Sequence, residues 1–178
     1  MQLSESLITN HESRYAIAMR ILGVDPGLST TGIGVIEANG DTLSALDWMA
    51  ITSDTALPLA ERLQEIAADF EQILDEAKPE LAVVEQIFFA KNEKTAINVA
   101  HARGVYLMLL GKRGIPVLEV TPMQLKLAIT GDGAADKTQM GAMLLRWLKL
   151  DAVPTPADAA DALALAVYGA HMRKQLPV

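Results

Sequence analysis

Ile21-Leu22-Gly23-Val24-Asp25-Pro26-Gly27-Leu28-Ser29-Thr30-Thr31-Gly32-Ile33-Gly34-Val35-Ile36-Glu37 is the stretch on which the reading of this chain turns. A short apolar run, Ile21 to Val24, ends in a single carboxylate, Asp25. Pro26 and Gly27 follow, a pair that continues neither strand nor helix. After a turn rich in Gly, Ser and Thr comes a second apolar run, Ile33 to Ile36. The pattern predicts a hairpin of buried strands with an acid near its middle. A carboxylate beside an apolar strand is costly to desolvate unless something offsets its charge. A divalent metal is the usual answer, and a turn-capping role for Asp25 is the alternative. This stretch alone does not choose between them.

Met19 to Val24 reads as strand one and Gly32 to Ala38 as strand two. Asn39-Gly40-Asp41 is a hairpin turn signal, and Thr42 to Ile51 reads as strand three. After a loop from Ser53 to Pro58, Leu59, Leu63, Ile66, Phe70, Ile73 and Leu74 recur at helical spacing, which predicts a helix from Leu59 to Ala77. Lys78-Pro79 ends it. Leu81 to Val84 is wholly apolar, as a strand covered on both faces should be, and it stops at Glu85. A helix from about Lys94 to Leu110 follows, then a strand from Pro116 to Val120. A short helix through Ile129, a helix from Asp136 to Leu150 and a last helix from Ala157 to about Arg173 complete the order. A meander feeding strand–helix–strand units gives an α/β fold, a mixed sheet with helices on both sides. Ligands in such sheets gather beyond the carboxyl ends of the parallel strands. Residues 19–174 are expected to form one domain, 1–18 a flexible N-terminal extension and 175–178 a tail.

Composition bounds the function. A chain of 178 residues, 51% of them hydrophobic, can bury a substantial core. The absence of cysteine excludes disulfides, thiolate metal sites and a thiol nucleophile, and it fits a reducing cytoplasm. No run is long enough to span a bilayer, and the first residues lack the pattern of a signal peptide. The net charge of -7 argues at first against a nucleic-acid partner. Residues 86–149 nevertheless carry nine basic and four acidic side chains, compatible with a local phosphate-binding surface.

Asp25 and Glu85 stand at the ends of strands one and four, expected neighbours in the sheet. The last helix begins Pro156-Ala157-Asp158-Ala159-Ala160-Asp161-Ala162-Leu163. Asp158 and Asp161, three apart, share one helix face and are expected in its first turn. Capping and compensation of the helix dipole would also put acids there. Four converging carboxylates repel without a cation. Hard oxygen donors select Mg²⁺ or Mn²⁺, and two such ions about 4 Å apart can clamp both oxygens of an in-line phosphoryl displacement by water.

With these residues assembled, the sequence resembles the RuvC family, Holliday-junction endonucleases of the RNase H-like superfamily. The matching residues are Leu22 to Gly27, Thr31 to Ile36, Glu85-Gln86-Ile87-Phe88, Ala90-Lys91-Asn92, Ala102-Arg103-Gly104 and Ala157 to Ala164. The resemblance implies an RNase H-like fold: a five-stranded mixed sheet, three strands as an antiparallel meander plus parallel strands, flanked by helices. It implies Asp25, Glu85, Asp158 and Asp161 as catalytic metal ligands for two Mg²⁺ per site, with Mn²⁺ as a substitute. It also implies a homodimer that makes paired nicks in four-way junction DNA, leaving 5′-phosphate ends, in recombination and repair. Complex formation with the RuvA–RuvB branch-migration machinery follows from the same likeness.

Among lesser candidates, Phe88 takes the family's DNA-contacting aromatic position, where a ring could stack on bases at an open junction centre. Phe89 is tied less firmly to function. Lys126 and Lys137 match family lysines near the cleft and are expected to meet phosphates. Lys91 and Arg103, then Lys94, Lys112 and Arg113, could extend that surface. His101 and His171 are expected to be packed or surface residues. The helix from Lys94 to Leu110 is apolar around much of its circumference, which makes it a candidate dimer interface. Two features depart from the family: the overall acidity and the residues before Met19. The competing functions are another RNase H-like nuclease, such as one cutting RNA–DNA hybrids, and a non-catalytic or nucleotide-binding relative with the same first strand. The tetrad argues against the second, which does not need it.

Overall fold

Alternation along the first strand decides which side of the sheet holds the chemistry. The computed structural model describes residues 18–87 and 93–173. Strand β1 is Met19–Asp25, β2 Thr30–Asn39, β3 Thr42–Thr52, β4 Leu81–Glu85 and β5 Val117–Val120. They form one five-stranded sheet in the order β3-β2-β1-β4-β5. The β1–β2 and β2–β3 pairs are antiparallel, and β1–β4 and β4–β5 are parallel. This is the expected meander joined to parallel strands. Gly40, in the left-handed region at φ 56°, turns β2 into β3.

Helix α1 is Leu59–Ala77, α2 Glu93–Lys112, α3 Pro122–Thr130, α4 Lys137–Leu148 and α5 Ala157–Met172. Side chains alternate faces along a strand. Leu22, Val24, Ala82 and Val84 therefore pack one way, against Phe70 and Ile66 of α1 and Tyr106 and Leu110 of α2. Ile21, Leu81 and Val83 pack the other way, against α3, α4 and α5. Asp25 and Glu85 share parity with Ile21 and Leu81, so both project toward α5.

Glycines on β1 and β2 let α5 come down onto the sheet. A Cβ at Gly23 would lie 1.9 Å from the Ala162 carbonyl oxygen, and one at Gly32 would lie 1.9 Å from that of Asp158. One at Gly34 would lie 2.6 Å from the Leu163 nitrogen. No side chain fits at these positions. The helix answers with Ala159, Ala162, Ala166 and Ala170, all buried. The last helix is rich in alanine because the main chains of helix and sheet are in contact.

Helix ends follow local chemistry. Thr121 with Gln124 and Asp136 with Gln139 form capping boxes at α3 and α4. Helix α4 accordingly begins one residue after Asp136, and it ends at Leu148 because Lys149 turns left-handed. Helix α5 has Pro156 at its cap position and no side-chain cap. Asp158 is therefore not used as a cap.

Candidate active site

The register of the sheet brings the sequence-distant acids together. Val24 pairs with Val84 in the parallel ladder, so Asp25 and Glu85 leave adjacent strands side by side. Asp25 pairs with Gly32 in the antiparallel ladder. Gly32 is the residue whose missing side chain admits the Asp158 carbonyl, so strand pairing and helix docking converge on one point. Asp158 lies in the first turn of α5. Asp161 is one turn further in, rather than in the first turn as its spacing suggests, because the helix begins at Ala157. The three-residue spacing still keeps both acids on one face.

The electrostatics reflect this crowding. Burial is the largest cause that pushes the Asp25 carboxyl up to about 6, and the charges of Asp161 and Asp158 add to it. Burial likewise pushes Glu85 up to about 7, joined by the charges of Asp25 and Asp161. The Asp25 and Glu85 carboxyls are in hydrogen-bond contact with each other. Lys137, at the start of α4, donates from Nζ to Asp161 Oδ2 at 3.2 Å, and its own pKa is raised by that bond. Asp25 and Glu85 thus stand together with raised proton affinity, and Asp161 holds Lys137. In that arrangement no group of three or more acidic, histidine or cysteine side chains among the described residues stands at metal-holding spacing. The donor set suits a hard divalent cation: four carboxylates, two with raised pKa values that a nearby positive charge would lower.

The turn that carries Asp25 is held from two directions. Gly27 bends so tightly that a Cβ there would meet the Thr30 carbonyl oxygen at 2.0 Å. The buried Thr31 hydroxyl donates to the Gly27 carbonyl at 2.7 Å and accepts from the Gly27 N–H at 3.1 Å. Tyr106 Oη completes it, donating to Thr31 Oγ1 at 2.7 Å. Burial raises the Tyr106 pKa, so it remains a donor. On the outer side Arg62 donates to Ser53 Oγ at 3.0 Å, Ser29 Oγ at 3.0 Å and the Leu28 carbonyl at 3.3 Å. Sequence reading misses Tyr106 and Arg62, since neither carries a local signal of what it will touch.

The basic candidates separate. Lys137 is at the carboxylates, with 81% of its side chain exposed. Lys126 is half-buried on α3. The Arg103 side chain is only 17% exposed, paired with Glu119 and bonded to the Glu85 carbonyl at 3.1 Å. Lys112 pairs with Glu71 at 3.2 Å and Arg113 pairs with Asp75, so these two tie α2 to α1. Phe88, Phe89 and Lys91 lie outside the described residues, as does the Lys94 side chain. His101 is exposed, and His171 packs edge-on against Trp147 with ring centroids 4.5 Å apart.

Comparison with known proteins gives the family and the fold. The family model described as crossover junction endodeoxyribonuclease RuvC matches residues 21–169. A curated relative of that description from Synechococcus sp. (strain WH7803) is 48% identical over 155 residues, covering 87% of this chain and all of the relative. One from Chloroflexus aggregans is 45% identical, covering 86% of this chain and 93% of the relative. Among solved structures, Thermus thermophilus RuvC in complex with Holliday junction substrate superposes with a TM-score of 0.83 at 32% identity. It covers 88% of this chain and 96% of that one. The yeast mitochondrial Holliday junction resolvase, at 17% identity and a TM-score of 0.63, shares the fold.

Proposed function

Because the chain belongs to the RuvC family of crossover junction endodeoxyribonucleases, we propose that it resolves four-way DNA junctions by metal-dependent hydrolysis at the Asp25, Glu85, Asp158 and Asp161 cluster. The observation that carries this assignment is the convergence of the four acids on the α5 side of the sheet, with burial and mutual repulsion raising Asp25 and Glu85. All four would hold two Mg²⁺ ions, with Mn²⁺ as a substitute. When bound, such ions polarise the attacking water and stabilise the leaving oxygen of the phosphodiester. The chain's own part is to hold the four carboxylates in place and to bring cations to the backbone. Lys137, exposed beside Asp161, meets a phosphate oxygen near the cut, and Lys126 meets another further along the strand. Phe88 and Lys91 are assigned to DNA contact by the family resemblance, Phe88 as the aromatic for bases at the junction centre.

The working unit is a homodimer. A junction needs two cuts on opposing strands, one chain carries one acid cluster, and a two-fold pair presents two. Helix α2 supplies the interface: Ile97 and Met108 stand 53% and 56% exposed, in line with the exposed Ala100 and Gly104. Among the described residues no helix is long and apolar enough to cross a membrane. The enzyme works in the cytoplasm, alongside RuvA–RuvB.

The test is cleavage of a synthetic four-way junction, a matched duplex and an RNA–DNA hybrid in Mg²⁺. Paired symmetric nicks in the junction alone are expected, and hybrid cleavage would overturn the assignment. Mixed dimers with Asp25→Asn should nick one strand per binding event. Paired cuts from them, or a fully active monomer by sedimentation, would defeat the dimer.

A further inference from the structure

We propose that Arg103 and Tyr106, three residues apart on α2, are positioning residues that hold the main chain under Glu85 and Asp25 in register for metal binding. This rests on the reading of those acids as metal ligands. It also gives Arg103 a different task from contacting DNA.

The two side chains project from one helix face, as a three-residue spacing requires. Each reaches the end of a different strand. Arg103 Nε donates to the Glu85 carbonyl oxygen at 3.1 Å, and its Nη2 pairs with Glu119 on β5. Glu119 stands beside Val84 in the β4–β5 ladder, and the Gln86 N–H donates to the Val120 carbonyl at 2.9 Å. The end of β4 is therefore fixed by its neighbour strand and by the guanidinium. Tyr106 reaches the other strand end through Thr31. That hydroxyl has one proton and two lone pairs, and all three are used: it donates to Gly27, and it accepts from Gly27 and Tyr106. Thr31 adjoins Gly32, the ladder partner of Asp25.

Arg103 ends on the Glu85 main-chain carbonyl, and Tyr106 reaches the Gly27 main chain through the Thr31 hydroxyl, so neither ends on the Asp25 or Glu85 carboxylate. They leave every carboxylate oxygen of Asp25 and Glu85 available to a cation while fixing where the side chains start. Partners of this kind around metal ligands are commonly worth 10- to 100-fold in metal affinity. A phosphate contact would cost either residue its ion pair, but the Arg103 side chain is 17% exposed and also bonded to the Glu85 carbonyl, whereas that of Lys137 is 81% exposed.

The experiment uses the full-length chain and its Arg103→Gln and Tyr106→Phe variants. Mn²⁺ is titrated without DNA and followed by thermal shift. Junction binding is measured separately in EDTA across a salt series. Tyr106→Phe keeps the ring that packs edge-on against Phe70 at 4.7 Å, so it removes the hydroxyl alone and decides the matter even if Arg103→Gln fails to fold. The expected result is a half-saturating Mn²⁺ concentration raised about tenfold or more in each variant, with junction affinity and its salt slope unchanged. Weaker junction binding with a slope lower by about one in Arg103→Gln would make Arg103 a phosphate contact and overturn the proposal. Variants with wild-type Mn²⁺ titrations would overturn it while leaving the nuclease assignment standing. A wild-type protein with no Mn²⁺ response would overturn both.

Discussion

Replacing Asp25 by Asn should stabilise the metal-free protein while abolishing cleavage. Asp25 is held at about 6 against an ordinary value of 3.8, chiefly by burial and then by Asp161 and Asp158. An acid raised in the folded state binds its proton more tightly there than in the unfolded chain. Its contribution to stability is therefore greatest at low pH and is lost as pH rises from about 4 to about 6. Each tenfold gain in proton affinity is worth ~1.4 kcal/mol, so at pH 8 the folded protein carries this charge at a cost of roughly 3 kcal/mol before screening. Asp25 is only partly buried, and solvent screening cuts this to about 1–2 kcal/mol. In a domain of this size that is roughly 2–8 °C in Tm. Asn removes the charge, keeps the shape and can donate from Nδ2 to Glu85.

The assay is thermal unfolding of wild type and Asp25→Asn in EDTA at pH 5 and pH 8, repeated with Mg²⁺ at pH 8, with junction cleavage measured alongside. At pH 8 the variant should melt higher than wild type, and at pH 5 the difference should shrink. Mg²⁺ should raise the wild-type Tm and leave the variant nearly unmoved. Cleavage should fall by orders of magnitude with junction binding retained. A variant less stable than wild type at pH 8, an undiminished Mg²⁺ effect, or cleavage within a few-fold of wild type would refute the reasoning.

Gly32→Ala forces a Cβ against the Asp158 carbonyl oxygen at 1.9 Å, so α5 must lift. It should cost about 1–3 kcal/mol by denaturant unfolding and reduce junction cleavage about 100-fold, and near-normal cleavage would show that α5 docking does not set the site. Lys126→Ala and Lys137→Ala should each lower the slope of log affinity against log salt by about one in a metal-free binding series. An unchanged slope would remove that lysine from the phosphate path.

Much of the fold is legible because its signals are local. The apolar spacing from Leu59 to Leu74 predicts α1 with the boundaries it has, and Lys78 closes it in the left-handed region. The uninterrupted run Leu81 to Val84 is a strand buried on both faces. The acids are legible as strand ends and as a helix pair, and alternation from Ile21 and Leu81 is enough to put Asp25 and Glu85 on one side. Other features leave no such trace. Gly32 and Gly34 read only as members of strand two, because a residue that acts by lacking a side chain has no periodicity to read. In the sequence Arg103 is only a positive charge, but its role depends on Glu119, sixteen residues away and brought alongside only by the parallel pairing of β4 with β5. The same holds for Lys112 and Arg113, whose charge is taken up by Glu71 and Asp75 of α1. The basic segment is accordingly less basic toward a ligand than its composition indicates.

Bringing four carboxylates together works against folding, and the surroundings of the site answer that problem on both faces of the sheet. On the α5 side, main chain rests on main chain: with glycine at positions 23, 32 and 34, the helix that carries Asp158 and Asp161 has no side chain to ride up on. A close-packed seat of this kind resists displacement because any rise opens voids and loses dispersion contacts. On the α2 side the same task falls to hydrogen bonds in a buried setting, where an unmade bond costs more than a made one returns. Repulsion among the acids is then relieved by side-chain changes alone, through the raised proton affinity of Asp25 and Glu85 and through Lys137 against Asp161. Both are reversible without moving a strand. On the proposed reading a cation takes the place of a proton and Lys137 turns to a phosphate, while the backbone that carries the four carboxylates stays where packing put it.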